Sequence, residues 1–218
     1  MSSGLKGVHE HMIGLGLGAL AHANWHANYH SPDNVYWSEL SVLQAAHACE
    51  ILIKARIAQE HPLLIFEQLP KAAANGEPLS LHRLIEGGRT YQFADLPDRL
   101  WATTGLALPA VDRYRAFGRL RNSIQHFSVP PEIDTSTEAV RFIYEVIDPF
   151  IHQCWGFYAI DYNEDTEPYV YLIEGLIRRG IRFLVSFGAA EILDEIDIEW
   201  PDKDSSYRSD MEARFALA

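Results

Sequence analysis

The sequence has little of what would tie it to an oxidising compartment, a membrane or a broad polyanion. Only two cysteines, Cys49 and Cys154, occur in 218 residues. A chain of this length buries its own core without staples, so both read as buried reduced thiols in a cytoplasmic protein. No apolar run approaches the roughly 20 residues that cross a bilayer. The stretch Met12 to Ala21, followed by Ala21-His22-Ala23, imitates a short secretory leader, but it holds Gly14, Gly16 and Gly18, and Glu10 stands ahead of it beside Lys6, which argues against one. Basic residues are also in deficit, 18 against 30 acidic, for a net charge of -12. That removes the diffuse positive field on which most sequence-independent nucleic-acid binders rely, so any phosphate contact must come from a local site.

What is present is a globular composition, 48% hydrophobic and 22% charged, which excludes a disordered or fibrous chain. The acid is unevenly placed. Residues 1–130 carry 11 basic and 11 acidic side chains, whereas residues 131–218 carry 7 basic and 19 acidic ones. The C-terminal part therefore holds the whole net charge.

Apolar spacing along the chain is helical. Ser38 to Ala58 reads as one strongly apolar helix with Glu39 in its first turn, closed before His61-Pro62 because proline disfavours helical geometry in the residue ahead of it. Between Pro70 and Pro109, turn residues leave room only for short helices such as Leu79–Ile85 and Pro97–Thr104. A long helix is expected from about Ala110 to Phe127, stopped by Val129-Pro130-Pro131. The next opens on Thr135 with Glu138 three residues on, a capping box, and runs through Val140, Ile143, Ile147 and Ile151, with Pro149 as a kink. Pro168 to Phe187 is expected to be a further helix, and Ile196, Ile198 and Trp200 alternate like a short edge strand.

Two constellations carry chemistry. Within the Ser38 helix the polar interruptions His47, Glu50 and Lys54 are spaced by three and four residues and share one stripe. The stripe is either a solvated face with an ordinary ion pair or the wall of a polar cleft. The second is Arg113, Arg115, Arg119 and Arg121 within nine residues, followed by Asn122 and His126: the one basic concentration in the chain. Asn122 and His126 lie a turn apart on one side, and Arg121 stands about 140° from His126 on an ideal helix. An arginine that holds a phosphate and a histidine that moves a proton at a ribose 2′-hydroxyl or a leaving 5′-oxygen are the requirements of RNA cleavage without metal. The plainer reading is that His126 caps the helix C-terminus and the arginines solvate a face.

Arg121-Asn122-Ser123-Ile124-Gln125-His126 resembles the R-x-x-x-x-H motif of the HEPN superfamily, whose members include RNA-cleaving toxins and antiphage effectors. Leu43 to Ala55, with Glu50 four residues ahead of Lys54, resembles that superfamily's second helix. The resemblance implies an all-α, antiparallel helical bundle over residues 1–160 with a loop-rich insertion, and an acidic C-terminal extension over 161–218 packed on it. It implies a homodimer in which two motifs meet, metal-independent endoribonuclease activity giving a 2′,3′-cyclic phosphate, and a defence or toxin system, with an antitoxin or defence partner. In that reading Arg121, His126 and Asn122 are catalytic, Glu50, Lys54 and His47 support them, and Arg113, Arg115 and Arg119 bind RNA. Members paired with a nucleotidyltransferase carry Tyr two residues after the His. Ser128 stands here, so that form of control is not expected. The alternative is a non-catalytic HEPN-type module that binds a partner protein or a nucleotide.

Five of the ten histidines, His9, His11, His22, His26 and His30, lie near the N-terminus. His22, His26 and His30 are expected along one helix face, but no CxxC, HExxH or paired carboxylate accompanies them, so neither a metal nor another cofactor is expected. Trp25, Tyr29, Tyr36 and Trp37 read as core, and Gly14-Leu15-Gly16-Leu17-Gly18, with no strand ahead of it, is not a dinucleotide loop.

Overall fold

A computed structural model describes Leu5 and residues 7–71, 79–164, 169–192, 198–201 and 205–218. The chain is all-α, with one two-stranded sheet among the described residues. None of its described helices is long and apolar enough to cross a membrane. Two helices, α1 (Val8–Asn28) and α2 (Trp37–Glu60), are divided between two compact units. The first comprises Met1–Gly16 and Cys49–Leu108, the second Leu17–Ala48 and Pro109–Ala218. Residues 161–218 thus belong to the same unit as the helices that follow Pro109.

In the first unit the N-terminal half of α1 lies on α2 at Gly16, where a Cβ would come within 2.7 Å of Leu52 Cγ. Only glycine permits that approach. Where α2 stops, His61 Nδ1 accepts from Leu63 N at 3.2 Å and opens a 3-10 turn, Pro62–Ile65. β1 (Phe66–Gln68) then pairs antiparallel with β2 (Arg89–Thr90), and α3 (Leu81–Gly87) lies between them in sequence. Ser80 Oγ caps α3 by accepting from Arg83 N. α4 (Leu96–Thr104) completes the unit, its Leu96 and Leu100 buried along with Leu52, Ile53, Ile57 and Leu84.

The second unit is built on α5 (Val111–His126), α6 (Thr135–Phe142), a π-helical turn (Ile143–Ile147), α7 (Asp148–Trp155), α8 (Val170–Arg178), α9 (Phe187–Glu191) and α10 (Ser205–Leu217). α6, the π turn and α7 form one unbroken rod. Its N-cap is Asp134, whose Oδ1 accepts from Thr137 N at 3.1 Å, not the expected Thr135. Thr135 is buried as the first helical residue. Where a kink at Pro149 is expected, the helix runs on through a π turn. Proline has no N–H to give Glu145 and its ring crowds that carbonyl, and the wider turn relieves both.

The expected helix Pro168 to Phe187 is shorter. α8 ends at Arg178, Gly180 takes φ 66°, and Ile181, Phe183 and Val185 then alternate inward along an extended segment. Pro168 lies outside the described residues. So does Ile196 of the expected strand, and Ile198 and Trp200 are not in a strand.

Aromatic rings tie this core together. Phe117 of α5 stacks on Phe142 at 3.8 Å, and Phe183 meets both Tyr144 and Phe215 of α10 edge-on. Asn24 of α1, fully buried, donates to Ala159 O (3.0 Å) and Tyr162 O (2.8 Å) and accepts from Tyr144 OH. It is a polar residue inside the core with its bonds made.

Candidate functional site

α5 is held by its apolar side. Tyr114, Phe117 and Gly118 are buried, while Arg115, Arg119, Asn122 and His126 step by four, three and four residues along an exposed stripe. Arg121 follows Phe117 and Gly118 by one turn, so it leaves the helix on the core-facing side, half-buried, with its Nη1 donating to Asn122 Oδ1 at 2.9 Å. No hydrogen bond or ion pair joins Arg121 to His126. His126 is the last residue of α5, is exposed, and has no hydrogen-bond partner among the described residues.

The helix stops there because Ser123 gathers up its end. Ser123 O accepts from both Phe127 N and Ser128 N at 2.9 Å, and Ser123 Oγ donates to Ser128 O at 2.6 Å. Phe127 is left 94% exposed. It forms one wall of a groove of about 390 Å³ whose other apolar walls include Tyr36, Leu40, Leu43, Ile124 and Val129.

The arginines are not equivalent. Arg113 is held by Glu138 of α6 at 3.5 Å and by Glu145 of the π turn, and Arg115 lies 3.6 Å from Asp112. Elsewhere in the second unit Arg141, Arg178, Arg182, Arg208 and Arg214 each meet a carboxylate. Arg119, Arg121 and Arg179 form no ion pair among the described residues. Two of these three arginines are therefore on α5, within two turns of His126.

The α2 stripe divides. His47 is exposed and lies in the second unit, Glu50 and Lys54 in the first. Lys54 is 8% exposed, and its Nζ donates to Glu50 Oε1 at 2.6 Å and to Thr90 Oγ1 of β2 at 3.0 Å. The pair is a partly buried tie between α2 and the small sheet, with the ammonium on its buried side.

Of the histidine row, His22 bonds Glu164 at 2.5 Å and His26 bonds Gln44 at 2.6 Å, while α1 ends at Asn28 and leaves His30 off the helix. Burial lowers the pKa of His26, opposed by the Gln44 bond. No group of three metal-ligating side chains is present among the described residues. Cys49 is a buried thiol whose pKa burial pushes up, and Cys154 is a half-buried cysteine outside any disulfide.

Comparison with known proteins gives no match: no family model fits the sequence, and no curated protein or solved structure is detectably similar to it.

Sequence reasoning passed over Asp148. Its side chain is fully buried and accepts from Ala159 N and Leu184 N, both at 2.8 Å, and burial raises its pKa to about 7. The sequence signal for it was weak, an acid beside a proline on an otherwise apolar helix face.

Proposed function

We propose that this chain is a metal-independent endoribonuclease of the HEPN type, acting as a homodimer in a defence or toxin system. The observation that carries the reading is the charge census of α5. Arg119 and Arg121 keep unpaired guanidinium charge in a chain of net charge -12, and His126 stands exposed beside them. A buried or balanced arginine is a structural group, whereas one without a carboxylate is free to take a phosphate. Arg113 is committed to two glutamates, so phosphate contact falls to Arg119 and Arg121, with Arg115 at the margin.

In the proposed reaction the substrate's 2′-oxygen attacks phosphorus and the P–O5′ bond breaks. The 2′ proton is removed and a proton is delivered to the departing 5′-oxygen, the work of His126, while Arg121 holds the charge that grows on the phosphoryl oxygens. Asn122 fixes the Arg121 guanidinium, to which it is already bonded. Arg121 and His126 leave α5 on different sides, and a second copy supplying the complementary residue completes the cleft in this reading.

His126→Ala and Arg121→Ala should each lower cleavage of a single-stranded RNA at least about 100-fold. Sedimentation should show the same oligomer for both variants and the wild type. Retained cleavage without His126 contradicts the mechanism. One observation favours the second reading, a non-catalytic module for a partner protein: the apolar groove ending at Phe127 is of the kind that docks protein. A protein that binds RNA or a partner through α5 but never cuts RNA would belong to that class.

A further inference from the structure

A second pocket in the second unit, of about 320 Å³, opens where α1 ends and α2 begins, with Tyr29, His30, Trp37, Ser136 and Arg179 among its walls. No aspartate or glutamate lines it, in a chain that has 30. Arg179 is the third arginine of this unit that forms no ion pair among the described residues, and the charge acting on it is that of Asp134. Its Nη1 donates to Ala27 O and Asn28 Oδ1, both at 3.3 Å, which fixes the guanidinium against the end of α1 with neutral acceptors only. Ala27 O also accepts from Ser136 Oγ at 2.6 Å. The remaining N–H groups of Arg179 have no protein acceptor among the described residues. Asp134, whose charge reaches Arg179 without an ion-pair contact, accepts from Thr137 N and Thr137 Oγ1 and does not line the pocket.

The other walls are flat and fixed. The Trp37 ring packs edge-on against His26 at 3.8 Å, and Tyr29 stacks on Trp25 at 4.1 Å. His30, beyond the end of α1, adds an exposed imidazole. A guanidinium fork with no carboxylate in ion-pair contact suits a phosphate, and aromatic walls suit a planar ring. The volume stands at the lower end of the roughly 300–1,000 Å³ of ligand pockets, which favours a small molecule over a polymer.

We propose that this pocket is a binding site for a small phosphate monoester carried on a planar ring, of the nucleoside monophosphate class. The site is separate from the α5 motif and does not depend on the reading of that motif. Titration calorimetry on the full chain with inorganic phosphate, ribose 5-phosphate, adenosine and adenosine 5′-monophosphate tests it. The monophosphate should bind most tightly, ribose 5-phosphate and inorganic phosphate more weakly, and adenosine not measurably. Arg179→Gln keeps a donor for Ala27 O but removes the charge, and should weaken the monophosphate about 10- to 100-fold. Arg121→Ala should leave that binding unchanged. His30→Ala, on a residue outside the helices, gives the same test should Arg179→Gln lower the melting temperature. No saturable binding, adenosine binding as tightly as its monophosphate, binding lost with Arg121 instead, or unchanged binding in both pocket variants overturns the proposal.

Discussion

Lys54 shows why single residues decide the reading of a stripe. Were it solvated, its bond to Glu50 would contribute only a few tenths of a kcal/mol, the usual worth of an i,i+4 pair. It is buried, and its ammonium donates to Glu50 and Thr90. Glu50→Ala should therefore cost more than an exposed pair does, about 1–3 kcal/mol, because it leaves a buried ammonium with a hydroxyl as its remaining partner. Glu50→Ala with Lys54→Met should recover part of that loss, since an apolar pair removes the uncompensated charge. Urea unfolding of the two variants checks this, and an additive double variant would show that Lys54 reaches water instead. The identity of the pair was legible from spacing alone. Its burial was not, because Thr90 comes from a two-residue strand that no periodicity announces.

Among elements, α5 pays for its position at its N-cap. Ala110 has φ 44°, the one non-glycine residue with positive φ among those described. A Cβ in that region costs about 1–2 kcal/mol, partly offset in any glycine replacement by chain entropy. Ala110→Gly should thus raise stability by up to about 1 kcal/mol, read as a higher melting temperature, while a fall would place the strain elsewhere. α2, α5 and the rod from α6 to α7 were readable because their apolar residues recur at helical spacing over four turns or more, whereas α1 was not expected as a helix of this length. The rest followed weaker signals. Asp134 and Thr135 can both cap, and the shift of one residue puts Thr135 in the core. Arg178-Arg179-Gly180 is a helix stop, followed by the period-two run Ile181, Phe183, Val185, and reading helical character through to Phe187 overlooked both. In α5 the motif was plain, but which arginines are spent on Glu138 and Glu145 is settled only by how α6 packs.

At the scale of the whole molecule, Asp148 binds α7 to the segments around Ala159 and Leu184 and makes folding depend on pH. Its pKa of about 7 in the fold lies above the carboxylate's ordinary value near 4. Between those values the folded chain holds a proton that the unfolded chain has released. Its stabilising contribution is complete below about pH 4 and is lost as pH rises to about 7, a change on the order of 4 kcal/mol. Asp148→Asn does not titrate, so the stability of the wild type relative to that variant should fall over this range. A relative stability that rises with pH would mean that the two N–H donors keep the carboxylate ionised. The acid of residues 131–218 has a second consequence, since near-surface repulsion survives at a Debye length of about 8 Å in physiological salt. RNA crosslinks should therefore fall on α5 and not beyond Asn163.

The reaction proposed for α5 is tested most directly by the ends of its products. Purified protein incubated with RNA in EDTA should yield 5′-hydroxyl and 2′,3′-cyclic phosphate termini, and the matching DNA, which lacks the attacking 2′-hydroxyl, should stay whole. Cleavage that needs Mg2+, cuts DNA equally well or leaves other termini would contradict the account.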